Sequence, residues 1–240
     1  MKYSFLKKGI APFLFIFLSA FMLSSCLKKD ATNGTQQPGA GLMAFNLATS
    51  KNSVGFAVSG NVITYSPLSF TNYTGGYVNL FPGNRTVESF DFGVNNVIDS
   101  SSINFEQGKY YSVFLVGDTS HYQNILVQDN FDSLTYVANT SYIRYVNAMP
   151  SVNNPLIKIT DGTTDVFSGT AAFKTVSTFR PITAGSVSIT ASSESGLSVS
   201  RSITLEAGKA YTILLVGDPN ATDPSRQVQI KYVYNVNITP

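Results

Sequence analysis

The sequence predicts an all-β protein in which two antiparallel β-sandwich domains follow one another, and three observations carry that prediction. Apolar and polar residues alternate with period two, as in Val187-Ser-Ile189, Ser202-Ile-Thr-Leu205 and Gln227-Val-Gln-Ile-Lys-Tyr-Val233, which is the signature of strands with one buried face. A block of 14 residues, 105–118, returns as 205–218 with eight identities, dividing the body into two like parts. Beyond residue 25 no helical stripe of useful length interrupts this pattern.

The first element in chain order is an export segment, residues 1–25. Residues 1–8 carry Lys2, Lys7 and Lys8 without an acid, and the run that follows to Leu23 is apolar, giving the basic and apolar regions of a secretory signal peptide. Leu23-Ser24-Ser25-Cys26 resembles the lipobox of bacterial lipoproteins, whose cysteine is acylated and becomes the new N-terminus. Cys26 is therefore the expected lipidation residue, and a membrane reached through that lipid is the first expected partner. A retained membrane helix is the competing reading, but residues 9–25 fall short of a span of about 20 residues and contain Pro12.

Cleavage changes the charge. Loss of three lysines leaves 13 of the 16 Lys and Arg against 14 Asp and Glu, a formal charge of −1, so no basic patch of the kind that grips nucleic acid is expected. Cys26 is the one cysteine; once acylated it leaves no thiol for a disulfide, a metal or catalysis. Residues 26–40 are otherwise polar and rich in turn formers, too poor in apolar surface to order themselves. They read as a flexible tether with an end-to-end distance of roughly 20 Å. Lys28-Lys29-Asp30 partly resembles the charged export signal of surface-exposed lipoproteins in Bacteroidetes, with Ala31 where a second acid is usual. The expected location is the outer membrane, lipid-anchored, on its periplasmic or cell-surface face.

The repeat sets the two domains at residues 41–137 and 142–237, each near the commonest domain size. Ile103 and Ile203 extend the match, and Phe45-Asn46 pairs with Val146-Asn147. Upstream, Thr74-Gly-Gly-Tyr-Val-Asn-Leu80 aligns with Thr183-Ala-Gly-Ser-Val-Ser-Ile189 at an offset of 109 instead of 100, so the first copy is expected to hold nine extra residues between these blocks. Turn chemistry at Gly60-Asn61, Pro82-Gly83, Asp161-Gly162 and Ala207-Gly208 cuts each copy into about seven short strands. Residues 110–116 and 211–216 are almost continuously apolar, as in a central strand. Tyr111 and Tyr211 share the alternating face of Val113, Leu115 and of Ile213, Leu215, which assigns both rings to the cores.

Three segments of the second copy carry a family resemblance: Arg144-Tyr-Val-Asn-Ala-Met-Pro150, Leu156-Ile-Lys-Ile-Thr-Asp-Gly162 and Ala207-Gly-Lys-Ala-Tyr-Thr-Ile213. They resemble the domain-of-unknown-function 4397 family, in which an opening strand ends near Asn-Ala-x-Pro, another leads into Asp-Gly, and a late strand opens with Gly-x-x-Tyr. The first copy departs from it, with Leu47-Ala48-Thr49 and Ser59-Gly60 at the matching places. The resemblance implies two tandem copies of an immunoglobulin-like β-sandwich found on bacterial surface and secreted proteins, and no established activity.

Catalytic chemistry is thin. His121 is the one histidine, so neither a site of several histidines nor a repeated Ser-His-Asp arrangement is available. Asp118 with Asp218, and Glu106 with Glu206, recur at matched positions, but each lies within two residues of a glycine, where acids bond local backbone in turns more often than they form a catalytic pair. Asp161-Gly-Thr-Thr-Asp165 lacks the acid density of a calcium loop. No catalytic residue, metal site or cofactor is expected. The 13 Tyr and 17 Phe offer ring faces that stack on sugars or pack against partners. At alternating positions they are core, which leaves Phe81, Arg85, Phe90 and Phe92 in the extra segment of the first copy, and Tyr122 in a loop, as ligand-binding candidates, since length differences fall on loops and binding is placed there.

The leading functional expectation is a non-enzymatic cell-envelope lipoprotein acting as a binding, adhesion or assembly module, with a surface glycan or an envelope protein as partner and no nucleic acid. A structural spacer or subunit of an envelope complex without its own ligand is the alternative. A hydrolase ranks last, because no nucleophile, base and orienting group can be placed together.

Overall fold

The computed structural model describes residues 39–119 and 121–239; residues 1–25, read above as an export segment, with Cys26 and the polar stretch up to residue 38, lie outside the described residues. Residues 38–240 form one compact unit, built from two β-sandwich halves. The first half comprises β1 (Ala40–Asn46), β2 (Val54–Val58), β3 (Asn61–Val62), β4 (Val78–Leu80), β5 (Gly83–Asp91), β6 (Asn96–Phe105), β7 (Tyr110–Gly117) and β8 (Tyr122–Gln128). The second comprises β9 (Thr140–Ala148), β10 (Leu156–Thr160), β11 (Asp165–Thr170), β12 (Arg180–Thr183), β13 (Gly185–Ser192), β14 (Ser198–Leu205), β15 (Lys209–Val216) and β16 (Gln229–Asn237). Each half thus has eight strands where alternation predicted about seven, because the two-residue β3 and three-residue β4 are too short to show a period.

The halves repeat one topology. Sheet orders β4-β1-β7-β8 and β3-β2-β5-β6 in the first match β12-β9-β15-β16 and β11-β10-β13-β14 in the second. Neighbouring strands are antiparallel except β1 with β7 and β9 with β15, which run parallel. The expected all-β, tandem-sandwich architecture is the one observed.

The near-continuous apolar strands have a specific cause. In β7, Tyr111, Val113 and Leu115 point into the core of the first sandwich with Leu42, Phe56 and Val87. The alternate residues Phe114 and Val116 pack instead with Met43 and Phe45 against Val146, Leu214, Val216 and Val233 of the second half. Tyr211, Ile213 and Leu215 of β15 return to the second core, with Ile157, Ile189 and Leu205. The sheets centred on β1–β7 and β9–β15 therefore lie face to face, and a strand covered on both sides loses its alternation.

That shared layer has a polar centre. Arg144 and Asp129, each 2% exposed, form an ion pair with Nη1 to Oδ1 at 2.5 Å. Arg144 also donates to Thr212 Oγ1 at 2.9 Å and Ser112 Oγ at 3.1 Å, while Ser112 and Tyr77 hydroxyls donate to Asp129 Oδ2 at 2.7 and 2.6 Å. Thr212 donates to Asn235 Oδ1 at 2.7 Å. All the polar groups named here are partnered, which is what a buried charge requires.

Strand pairing also corrects the repeat alignment. Gly83 pairs with Phe105 and Gly185 with Leu205, and both glycines have a left-handed φ, 109° and 122°. Since Phe105 and Leu205 are equivalent, Gly83 matches Gly185 at an offset of 102, and no nine-residue insertion separates the blocks. The Thr-x-Gly-x-Val pattern had matched β4 to β13, because any strand opened by glycine presents it. Residues 81–92 are accordingly strand β5 and its flanks, not an extra loop.

Candidate functional site

The residues that recur in both halves hold the fold. Asn46 and Asn147, both fully buried, close the loop after the opening strand. Asn46 Nδ2 donates to the Leu68 and Lys51 carbonyls at 2.9 and 3.0 Å, and Asn147 Nδ2 to the Ala171 carbonyl at 3.0 Å. Their Oδ1 atoms accept from Ala48 N and Met149 N, both at 3.2 Å. The asparagine of the Asn-Ala-x-Pro motif is thereby a loop clamp. Tyr111 and Tyr211 are buried as expected, and their hydroxyls accept from Glu106 N at 2.9 Å and Glu206 N at 3.2 Å, in the manner of a tyrosine corner.

The acids behave likewise. Asp218 Oδ1 accepts from Asn220 N at 2.9 Å, and Glu206 pairs with Lys209 at 2.7 Å. Asp161 Oδ1 accepts from Thr163 N and Thr164 N at 3.0 and 2.8 Å. Hydrogen bonds, first from the Thr183 hydroxyl and then from Thr164 and Thr163, hold its carboxyl well below the usual carboxylate range. Asp165 pairs with Lys158 at 3.0 Å. His121 is exposed in the turn before β8. Among the described residues no three His, Cys, Asp or Glu side chains stand close enough to share a metal ion.

The five ligand-binding candidates fall at opposite ends of the first sandwich. Phe90 is buried over Gly55, where a Cβ would lie 2.3 Å from its ring, and stacks on Phe92 with centroids 6.2 Å apart. Tyr122 is not a loop residue: it opens β8 and packs on the first core. Its hydroxyl lies 2.5 Å from Ser50 Oγ, and Lys51, paired with Asp91 at 2.8 Å, sits 5.2 Å from its ring centroid. At the other end, Arg85 donates to the Phe81 and Pro82 carbonyls at 3.3 and 3.0 Å. Phe81 stands 84% exposed.

Sequence reasoning missed a concavity of about 970 Å³ in the second half, lined by Asn153, Asn154, Thr170, Ser193, Glu194 and Ser195 among others. Antiparallel pairing of β10 with β13 sets Leu156 opposite Ser192 and so joins the loop before one strand to the loop after the other. Each loop was legible as a cluster of turn formers, Asn153-Asn154-Pro155 and Ser193-Glu194-Ser195-Gly196; their meeting was not. The lining mixes amides and hydroxyls, with Glu194 as its acid, and the apolar side chain of Leu156. Such a surface can exchange hydrogen bonds with a hydroxyl-rich ligand. Arg226 of the second half donates to the Thr49 carbonyl at 2.6 Å and Lys174 to Gln123 Oε1 at 2.7 Å. The strand ends that carry this concavity thus lie on the same side as the Lys51–Tyr122 end of the first half.

Comparison with protein families gives a match to a domain of unknown function, DUF4397, whose model covers residues 40–160, half the chain. The match spans the whole first half with β9 and β10, whereas the three segments that suggested the family all lie in the second half. The two halves share one topology and the paired asparagine clamps. Comparison with curated proteins gives no match.

Proposed function

We propose that this chain, which belongs to the DUF4397 family, is a non-enzymatic lipoprotein of the Bacteroidetes outer membrane, anchored through Cys26, whose second half is a further copy of the family domain and binds a surface glycan. The observation that carries the reading is the open concavity, lined by amides and hydroxyls around Leu156 with Glu194 as its carboxylate, set on a body whose halves pack through a buried layer between their sheets. Loops on such a scaffold are where binding is usually placed.

Two measurements test it. Cys26→Ala should abolish fatty-acid labelling, and labelling equal to the parent would remove the anchor. The soluble unit 38–240 should bind members of a glycan array. Asn153→Ala with Glu194→Gln should weaken that binding about tenfold, the effect of some 1.4 kcal/mol of lost hydrogen bonding, without lowering the melting temperature. No glycan bound, or binding indifferent to both substitutions, would leave the second reading, a spacer that joins envelope components. The buried packing of the two halves against each other favours that alternative.

A further inference from the structure

At the opposite end of the first sandwich, a groove of about 350 Å³ runs between the edge strands β3 and β4, lined by Val62, Tyr65, Val78, Leu80, Phe81 and Arg85 among others. Tyr65 is 99% and Phe81 84% exposed, so two aromatic rings stand in water beside an apolar floor. Isolated exposed hydrophobics are ordinary, but a cluster marks an interaction surface. Arg85 holds the turn carbonyls of Phe81 and Pro82, which keeps this display in place.

The chain itself indicates what faces the cluster. Ala40 pairs with Leu80, and a Cβ on Gly39 would lie 1.9 Å from Asn79 Oδ1 and 2.7 Å from the Leu80 carbonyl. The first described residues therefore lie against β4, one position from Phe81. Twelve residues separate Gly39 from Cys26, at most about 45 Å of extended chain. If Cys26 is in the membrane, this end of the fold stays within that distance of it, at the high effective concentration a short linker confers. Aromatic rings with polar neighbours are the side chains that settle at the headgroup level of a bilayer, and here Asn61 and Asn79 flank the rings.

We infer that Tyr65, Phe81 and Val62 form a membrane seat, which docks the first sandwich onto the lipid surface that holds its anchor and turns the polar concavity of the second half away from it. The inference rests on the lipid anchor proposed above. Its occupant is a lipid headgroup layer rather than a soluble glycan or a protein.

The chain contains no tryptophan, so Phe81→Trp supplies a sole tryptophan at the seat, excited selectively over the tyrosines. Val94→Trp, at a 67% exposed site in the turn between β5 and β6, supplies one at the remote end. The acylated full chain is reconstituted on vesicles of phosphatidylethanolamine and phosphatidylglycerol with brominated acyl chains, and vesicle flotation is read separately. The expected result is blue-shifted, quenched emission from Phe81→Trp, weakened by adding Tyr65→Ser, and unchanged emission from Val94→Trp. Protein that floats with the vesicles while Phe81→Trp remains unquenched overturns the seat and spares the anchor. Acylated protein that does not float overturns both. Quenching equal at the two sites, or a shift produced only by added glycan or protein, also overturns the seat.

Discussion

Arg144 and Asp129 meet inside the protein, Nη1 to Oδ1 at 2.5 Å, in a layer where strand pairing within each half puts Met43 opposite Ser112 in the first and Arg144 opposite Thr212 in the second. Met43 is thus the counterpart of Arg144. Asn235 is likewise the counterpart of Asp129, each lying two residues beyond the partner of Ser112 or Thr212, Val127 or Val233. One half supplies the charge of each sign that the other lacks. Arg144→Met leaves Asp129 buried without its cation and should cost about 3–5 kcal/mol. Adding Asp129→Asn, which gives both halves the neutral pair, should recover more than about 1 kcal/mol of that loss, an interaction energy typical of contacting residues. Denaturant melts of the two singles and the double measure it, and additive losses would show that the pair is energetically independent.

Tyr211→Ala removes a buried ring from the second core together with the acceptor of Glu206 N, and should cost about 3–5 kcal/mol. Tyr211→Phe keeps the ring and should cost about 1 kcal/mol. Tyr122→Ala should cost more than the roughly 0.5 kcal/mol of a surface change, since its ring packs on the first core and its hydroxyl bonds Ser50. A Tyr211→Ala protein as stable as its parent would reverse the assignment of the inward face.

How much of this was legible follows from the range of each signal. Alternation along Ser202-Ile-Thr-Leu205 and the matched Tyr111 and Tyr211 are local, so the strands and inward tyrosines could be read directly. The repeat gave two halves, since identity at 105–118 survives as pattern. Offsets upstream did not survive: Gly185 and Gly76 look alike in sequence, and only cross-strand register separates them. Arg144 read as part of a strand motif, and nothing nearby in sequence announces Asp129 as its partner inside a buried layer. The concavity at Asn153 and Glu194 is likewise a product of pairing between distant loops.

Tyr77 links the same network to pH. Burial first, then the neighbouring Asp129 carboxylate, pushes its phenol well above the ordinary tyrosine range. With the folded-state value raised, the stabilisation is fully present below the unfolded value near pH 10 and is lost as pH rises beyond it, at about 1.4 kcal/mol per pH unit. Tyr77→Phe places there an aromatic ring like that of Phe179, the residue before β12 as Tyr77 is before β4. It should cost about 1–2 kcal/mol at neutral pH through the donor lost to Asp129, and flatten the decline above pH 10. Urea midpoints for both proteins between pH 8 and 11, a range about one unit either side of the free phenol value plus a neutral baseline, decide it. Parallel curves would show that Tyr77 is not the group responsible.

The last prediction concerns the second half alone. Its own core, from Ile143 and Ile157 to Tyr211 and Ile230, is drawn wholly from residues beyond 141, so a fragment 141–240 should keep β-type circular dichroism. Its outer sheet face is another matter. Val146, Ala148, Leu214, Val216 and Val233 lose the cover of Met43, Phe45, Phe114 and Val116, and Arg144 loses Asp129. Full burial of one such aliphatic side chain is worth about 1.5–3 kcal/mol, and an apolar patch of several of them on a soluble domain drives association. The fragment should therefore bind a hydrophobic dye and self-associate as its concentration rises, while the full chain binds less dye and unfolds in a single transition. A charged residue in the layer, Leu214→Lys, should restore a monomer. If the fragment is monomeric and dye-silent without that change, and the full chain melts in two separate steps with one matching the fragment, then the layer between the sheets contributes nothing to stability and the two sandwiches are independent bodies in contact.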